Sequence, residues 1–151
     1  MKVVIDGPDR RATLFAGFLK RIEQYRRASK LLPEDGDVFF PRIQIRGQLV
    51  EVALKAYLLA SGETLKKTHD LELLASSAEA HGLNLADRDK DQHIDKLNKL
   101  YFEHKPWDAR YLTRYASENE NLAAWITPNH NSTEEMVERI IDQAKARYSS
   151  D

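Results

Sequence analysis

Cysteine is absent from this chain of 151 residues. Its absence excludes disulfide bridges, thiolate nucleophiles and zinc sites built on cysteine. Long apolar runs are also missing: no stretch approaches the roughly 20 residues that a bilayer-spanning helix needs. The short run Val3-Val4-Ile5 is far too brief for a signal peptide. We therefore expect a cytoplasmic protein with no membrane partner.

The six glycines are scattered, and none stands in a G-x-x-x-x-G-K or G-x-G-x-x-G setting. A loop that cradles phosphates is thus not predicted, and no G-x-S-x-G nucleophile motif is present. None of the histidines has another histidine three or four residues away, so no helix offers two imidazoles to one metal ion. These histidines are His69, His81, His93, His104 and His130. We expect neither a metal nor a cofactor.

An excess of charge of one sign is also missing, because 23 Lys or Arg nearly balance 24 Asp or Glu and the net charge is -1. The distribution is uneven, however: residues 1–32 contain eight Lys or Arg against three Asp or Glu, so this segment carries +5 and the remainder -6. We interpret the basic segment as solvated helix faces and internal ion pairs. The alternative is a groove that binds RNA.

Apolar residues recur with helical periodicity along most of the chain. The pattern predicts helices over residues 9–32, 41–61, 69–81, 91–104 and from 132 onward. Gly62 and Gly82 mark two of the helix ends, and Ser132-Thr133-Glu134-Glu135 is typical of a capping box. Residues 106–131 are aromatic and irregular. We predict one all-α domain over residues 1–151, an antiparallel up-and-down bundle of about five helices.

Residues 41–61 form the most informative segment, PRIQIRGQLVEVALKAYLLAS. On a helical wheel Gln48, Glu51 and Lys55 occupy one narrow polar stripe, and apolar residues occupy almost everything else. A helix this apolar must be covered on more than one side. Either it runs through the middle of the bundle, or it packs one face on the bundle and the other on a second subunit.

Several short motifs, in this order and spacing, resemble those of the HEPN domain. They are Leu49-Val50-Glu51-Val52-Ala53-Leu54-Lys55-Ala56-Tyr57-Leu58-Leu59, then Thr68-His69-Asp70-Leu71 with Leu73-Leu74, and an arginine-tyrosine element at Arg110-Tyr111 or Arg114-Tyr115. The resemblance covers residues 45–115 well and implies a compact helical bundle, commonly a homodimer. Members of that family include toxin-type ribonucleases and nucleotide-binding partners of minimal nucleotidyltransferases. The resemblance favours a non-catalytic homodimer that binds a nucleotide, an RNA or a protein encoded with it.

One segment matches the Arg-x4-6-His motif of the nucleolytic HEPN members: Arg88-Asp89-Lys90-Asp91-Gln92-His93. An imidazole can act as general base on a ribose hydroxyl while a guanidinium holds the scissile phosphate. The position argues against this interpretation, since the active motif lies later in those members, and the later segment DARYLTRY has no histidine. Asp89 and Asp91 would also repel a phosphate. We therefore expect no enzyme. The alternatives are a metal-independent endoribonuclease using Arg88 and His93, and a purely structural dimerisation bundle.

A second set of residues is a candidate for ligand binding. Two lysines precede the predicted third helix and a histidine begins it, and the N-terminus of this helix could hold an anion. Cations and aromatics mix in DARYLTRY and could clamp a nucleotide. The competing interpretation has the histidine tied to backbone or a neighbouring carboxylate, and the tyrosines packed on the bundle. The set comprises Lys66, Lys67, His69, Arg110, Tyr111, Arg114 and Tyr115.

Overall fold

The computed structural model describes residues 8–34, 38–65, 67–103 and 129–150. They form α1 (Pro8–Leu31), α2 (Phe39–Ala60), α3 (Leu71–Ala80), α4 (residues 87–103) and α5 (His130–Ser149). Within these ranges there is no strand, so the all-α prediction is confirmed. None of the helices described is long and apolar enough to cross a bilayer.

Helix α2 is the centre of the bundle. Every residue from 49 to 60 is buried except Lys55, which is partly exposed. Helices α1, α3, α4 and α5 all pack against it. Of the two sequence-based alternatives, the first is therefore correct: a single chain covers this apolar rod on all sides. Each large apolar side chain buried there contributes about 1.5–3 kcal/mol of transfer free energy.

Helix α1 lies antiparallel to both α2 and α5. Its first turns meet the end of α2, where the Arg11 Nε donates to the carbonyl of Leu59 at 3.1 Å. Phe15 stacks on Tyr148 near the end of α5, with 4.4 Å between ring centroids. Near its own C-terminus α1 reaches the start of α5, so its buried side spans the whole length of the bundle.

Helix α4 is a mixed helix: Asp87–Asp89 and Asp95–Asn98 are α-helical, whereas Lys90–Ile94 and Lys99–Glu103 form wider π turns. It starts four residues before the predicted Asp91. Asp89 in the extra turn is buried and accepts from Arg139 of α5 at 2.6 Å. An ion pair with a residue 50 positions away thus stabilises the first turn of α4, in which residues 87–90 are all charged. The apolar side of α4 is buried as predicted, and it consists of Ile94, Leu97, Leu100 and Tyr101.

Helix α5 begins earlier than predicted, and the proposed capping box is wrong. Asn129 is the N-cap, and its side-chain oxygen accepts from the backbone N–H of Ser132 at 2.8 Å. Thr133 is instead buried inside the bundle. The predicted apolar stripe of this helix is buried: Met136, Val137, Ile140, Ile141 and Ala144.

Both glycine stop signals are confirmed. Gly62 has a φ of 87° and Gly82 a φ of 95°, in the left-handed region that side chains other than glycine adopt at a cost. Most of the irregular aromatic segment predicted over residues 106–131 lies outside the described residues.

Candidate functional site

Glu51 of α2 is the hub of a polar site that joins three helices. Its side chain is only 9% exposed. One carboxylate oxygen accepts from the His69 Nδ1 at 2.7 Å and from the Tyr101 hydroxyl at 3.0 Å. The other accepts from Lys55, one turn along α2, at 3.2 Å. Three donors from α2, the segment before α3 and the end of α4 therefore satisfy one buried charge.

The ring of Tyr101 lies directly on Gly47, one turn before Glu51. A Cβ placed on Gly47 would come within 2.1 Å of a ring carbon, far inside any real contact. The absence of a side chain at this position lets α4 approach closely enough for the tyrosine to reach Glu51. Burial, followed by the neighbouring Glu51 carboxylate, raises the pKa of Tyr101. The phenol therefore stays protonated and remains a donor.

The start of α3 is fixed by Asp70 and Asn98. The Asp70 carboxylate caps the helix by accepting from the N–H groups of Glu72 and Leu73 at 3.1 and 3.3 Å. It also accepts from the Asn98 side chain at 2.9 Å, and the Asn98 oxygen accepts from the Leu71 N–H at 2.8 Å. Asn98 of α4 therefore binds both the capping residue Asp70 and the first residue of α3, which connects α3 to α4 at this point.

Glu72 stands beside this cap in an acidic setting. It shares a hydrogen bond with Asp95 of α4, and that bond, with burial and repulsion by Asp95, raises the pKa of Glu72 to about 7. Two carboxyl groups this close hold one proton between them at neutral pH and lose it as the pH rises.

We expect Glu72→Gln to raise the melting temperature at pH 8.5 but not at pH 5. The folded-state pKa of Glu72 lies above its unfolded value, so its protonated form stabilises the fold, and this contribution is lost as the pH rises through about 7. The side chain is solvent-exposed, and we expect a shift of only about 1–3 °C. Thermal unfolding at the two pH values measures it. An equal shift at both would contradict the shared proton.

His93 lies in the core between α4 and α5 and is 5% exposed. Its Nε2 is 3.0 Å from the Thr133 hydroxyl. That hydroxyl donates to the Asn129 carbonyl at 2.8 Å, so its oxygen accepts from an Nε2–H of His93. Burial lowers the pKa of His93 to about 4, with Arg46 and other cations acting in the same direction. His93 is a neutral, buried imidazole at pH 7.

Arg88, in contrast to the buried His93, has its side chain exposed on the first turn of α4. Between the two residues lies Asp89, buried and bound to Arg139. The exposed guanidinium and the enclosed imidazole thus do not share an open cleft. A shallow depression of about 370 Å³ lies nearby, and none of the predicted site residues lines it. Its lining is Asn84, Ala86, Arg139, Asp142 and Gln143.

Comparison with protein families decides the identity of this bundle. The family model of the HEPN domain matches residues 23–148. The chain belongs to the HEPN domain family. No curated protein and no solved structure matches it. The predicted resemblance is confirmed, and the match extends well beyond residues 45–115 on both sides.

The HEPN-like motifs have a clear structural role in this chain. Glu51 of the first motif is the hub, and the His-Asp-Leu element supplies its partner His69, the helix cap Asp70 and the fully buried Leu71. The interpretation of His69 as a helix-start residue tied to a carboxylate therefore agrees with the geometry. His69 is 60% exposed, so the imidazole is also accessible to a ligand from solvent.

The other predicted binding residues are only partly placed. Lys67 is exposed before α3. The remaining candidates lie outside the described residues: Lys66, Arg110, Tyr111, Arg114 and Tyr115. Among the described residues no group of three histidines or carboxylates is placed to hold a metal ion.

The sequence reasoning missed a second polar cluster, around Arg46. This side chain of α2 is 1% exposed and binds Glu34 at 2.6 Å and the Ser29 hydroxyl at 3.2 Å. Ser29 in turn contacts the His130 Nδ1 at 2.9 Å, and Glu34 accepts from the His130 N–H at 3.1 Å. The end of α1 and the starts of α2 and α5 meet here. The available signal in the sequence was an arginine of α2 that lies outside the polar stripe of Gln48, Glu51 and Lys55.

The burial of His93 predicts that the protein loses stability in acid. Its folded-state pKa of about 4 lies below the unfolded value near 6.5, so the unfolded chain takes up a proton first as the pH falls. We expect stability to decline from pH 6.5 toward 4 by up to about 3 kcal/mol from this residue alone. Denaturant unfolding of the wild type and His93→Gln should show a shallower decline in the variant. Parallel declines would contradict a buried neutral imidazole.

Proposed function

We propose that this HEPN protein is a non-catalytic homodimer that acts by binding a partner. The observation that supports it is the placement of His93, the only histidine of the Arg-x4-His motif. A general base must reach the proton it removes, whereas this imidazole is enclosed and hydrogen-bonded to Thr133. A ribonuclease built on Arg88 and His93 would require α4 to open.

Incubation of purified protein with mixed RNA in EDTA tests the non-catalytic role. The variant Arg88→Ala changes an exposed side chain, so we expect it to keep the fold and to be the appropriate comparison. We expect the wild type and Arg88→Ala to leave the RNA equally intact. Cleavage by the wild type that Arg88→Ala abolishes would overturn the proposal and establish the endoribonuclease alternative.

The homodimer is an expectation from family membership. Since one chain already covers α2, the dimer surface lies elsewhere. Sedimentation at tens of micromolar protein should yield a species of twice the monomer mass. A monomer under those conditions would remove dimerisation from the proposal while leaving the absence of cleavage untouched.

The partner of the binding role is a nucleotide, an RNA or a co-encoded protein, with the exposed His69 and Lys67 as candidate contacts beside the α3 cap. A thermal-shift screen with nucleotides tests the first of these. A nucleotide at 100 times its Kd should stabilise the fold by about 2.7 kcal/mol. A shift retained by a His69→Ala/Lys67→Ala variant would exclude this surface as the site. Location in the cytoplasm stays a prediction.

A further inference from the structure

The outward side of α1 carries a row of positively charged side chains. They are exposed, and within the described residues none of them is within ion-pair distance of a carboxylate. We call this row the basic face: Arg10, Lys20, Arg21, Arg27 and Lys30.

Among the described residues, contacts with acceptors on other helices engage two of the cations of α1. Arg26 binds Glu134 of α5 at 2.9 Å and Glu23 at 3.1 Å. Arg11 donates to the carbonyl of Leu59. Glu23, the acidic residue within the row, is therefore already engaged by Arg26. Within the part of the chain that the structure describes, the positive charge of the basic face therefore has no ion-pair partner.

The basic face is long, and at 100° per residue its cations spread over about half of the helix circumference. With a rise of 1.5 Å per residue, Arg10 and Lys30 lie about 30 Å apart along the helix axis. The opposite side of α1 is the one that packs on the bundle, through the buried Phe15, Ile22 and Ser29. The cations consequently lie on the side of α1 that faces away from the core.

We propose that the basic face binds the phosphate backbone of a nucleic-acid duplex without regard to sequence. A duplex presents about one negative charge per 1.7 Å of its axis, so a row about 30 Å long can contact several phosphates. Single strands are held by exposed aromatic platforms, and the only large apolar side chains exposed among the described residues are Leu31 and Leu73. Tyr25, the aromatic of this face, is half-buried and covered by Arg21 at 5.9 Å from its ring.

This inference rests on the binding role proposed above and gives it one chemical class of ligand. It does not depend on whether RNA is cleaved, because α1 is a different surface from Arg88 and His93. The predicted mode is electrostatic and hence strongly dependent on salt. It differs in this respect from a nucleotide clamp at His69, which would bind mononucleotides.

Fluorescence anisotropy with a labelled 24-base-pair RNA duplex and the DNA duplex of the same sequence, in EDTA, tests the proposal. The test variant is Lys20→Gln/Arg27→Gln. The matched control is Lys96→Gln/Lys145→Gln, which removes two exposed cations from α4 and α5. Glutamine suits a helix, so all three proteins should melt alike. A denaturing gel of each sample checks that the duplex is intact.

We expect both duplexes to bind, with an affinity that falls steeply as salt rises. In the test variant the affinity should drop on the order of tenfold at low salt, and the slope of log affinity against log salt should flatten by about 2, because each removed cation leaves one phosphate without its partner. The control should retain both. Equal losses in the two variants would overturn the proposal, as would the failure of both duplexes to bind. Duplex cleavage on the gel would instead refute the non-catalytic role. The comparison of the two variants by anisotropy would still test whether the basic face binds the duplex.

Discussion

Gly47→Ala should destabilise the protein by about 3 kcal/mol or more. The added methyl would overlap the Tyr101 ring, whose nearest carbon lies 2.1 Å from the position of the new atom. The ring cannot move aside without giving up its hydrogen bond to Glu51 or lifting α4 from α2. Overpacking in a closed core costs about 1–3 kcal/mol, and the loss of a hydrogen bond to a buried charge adds to it. Denaturant unfolding measures the difference.

Gly17→Ala is the matched control for this substitution. Both glycines lie in helices, but nothing stands within 4 Å of a Cβ added at Gly17. Alanine favours a helix over glycine by roughly 0.5–1 kcal/mol, so Gly17→Ala should stabilise the protein. If Gly47→Ala also stabilised it, the close approach of Tyr101 to α2 would be wrong. A Tyr101→Ala background should remove most of the penalty at Gly47, since it removes the ring.

Arg46→Ala should cost about 3–4 kcal/mol of unfolding free energy. The side chain is fully enclosed, and its loss would leave a cavity and remove one of the partners of Glu34 and of Ser29. Arg46→Met keeps most of the volume. Because Glu34 is half-exposed, water can solvate its freed carboxylate, and we expect Met to cost only about 1–2 kcal/mol.

Lys96→Ala provides the control for Arg46→Ala, since it removes an exposed cation from α4. Its effect should stay within about 0.5 kcal/mol. Chemical denaturation of Arg46→Ala, Arg46→Met and Lys96→Ala beside the wild type measures these differences in unfolding free energy. Equal stabilities for Arg46→Ala and Lys96→Ala would contradict the cluster that joins α1, α2 and α5.

Helix α2 shows what the sequence alone could predict. Its apolar circumference required cover on several sides, and the structure supplies that cover from one chain. The helix ends at Gly62 and Gly82 were also predictable, because a left-handed turn after a helix favours glycine locally. Features that depend on residues close in sequence were therefore within reach.

Features that depend on distant partners were not. Asp89 begins α4 early because it binds Arg139, and Arg46 is buried because Glu34 and Ser29 receive it. Neither partner can be found from periodicity, which reports only on the helix containing the residue. The same limit applies to the candidate site: the motif from Arg88 to His93 is typical of a catalytic site in sequence, and only packing reveals that His93 lies against Thr133.

The basic face of α1 illustrates a related limit. Counting charges in residues 1–32 could not distinguish internal ion pairs from an uncompensated row. The distinction needs the contacts of each side chain, and these engage Arg26 while leaving Lys20 and Arg27 in solvent. Charge counts predict that a segment is basic, whereas the fold decides where its charge points.

The pKa of His93 is the most direct test, because enclosure of the imidazole lowers this pKa, and enclosure is what keeps His93 from a substrate in the proposed role. A titration of its ring resonances by NMR, assigned with His93→Gln, measures the pKa. We predict a neutral ring down to about pH 5, since burial lowers the pKa of His93 to about 4, and no change when RNA is added. A pKa near the ordinary value of about 6.5 that shifts on adding RNA would mean that His93 meets its substrate, and the proposed role would be wrong.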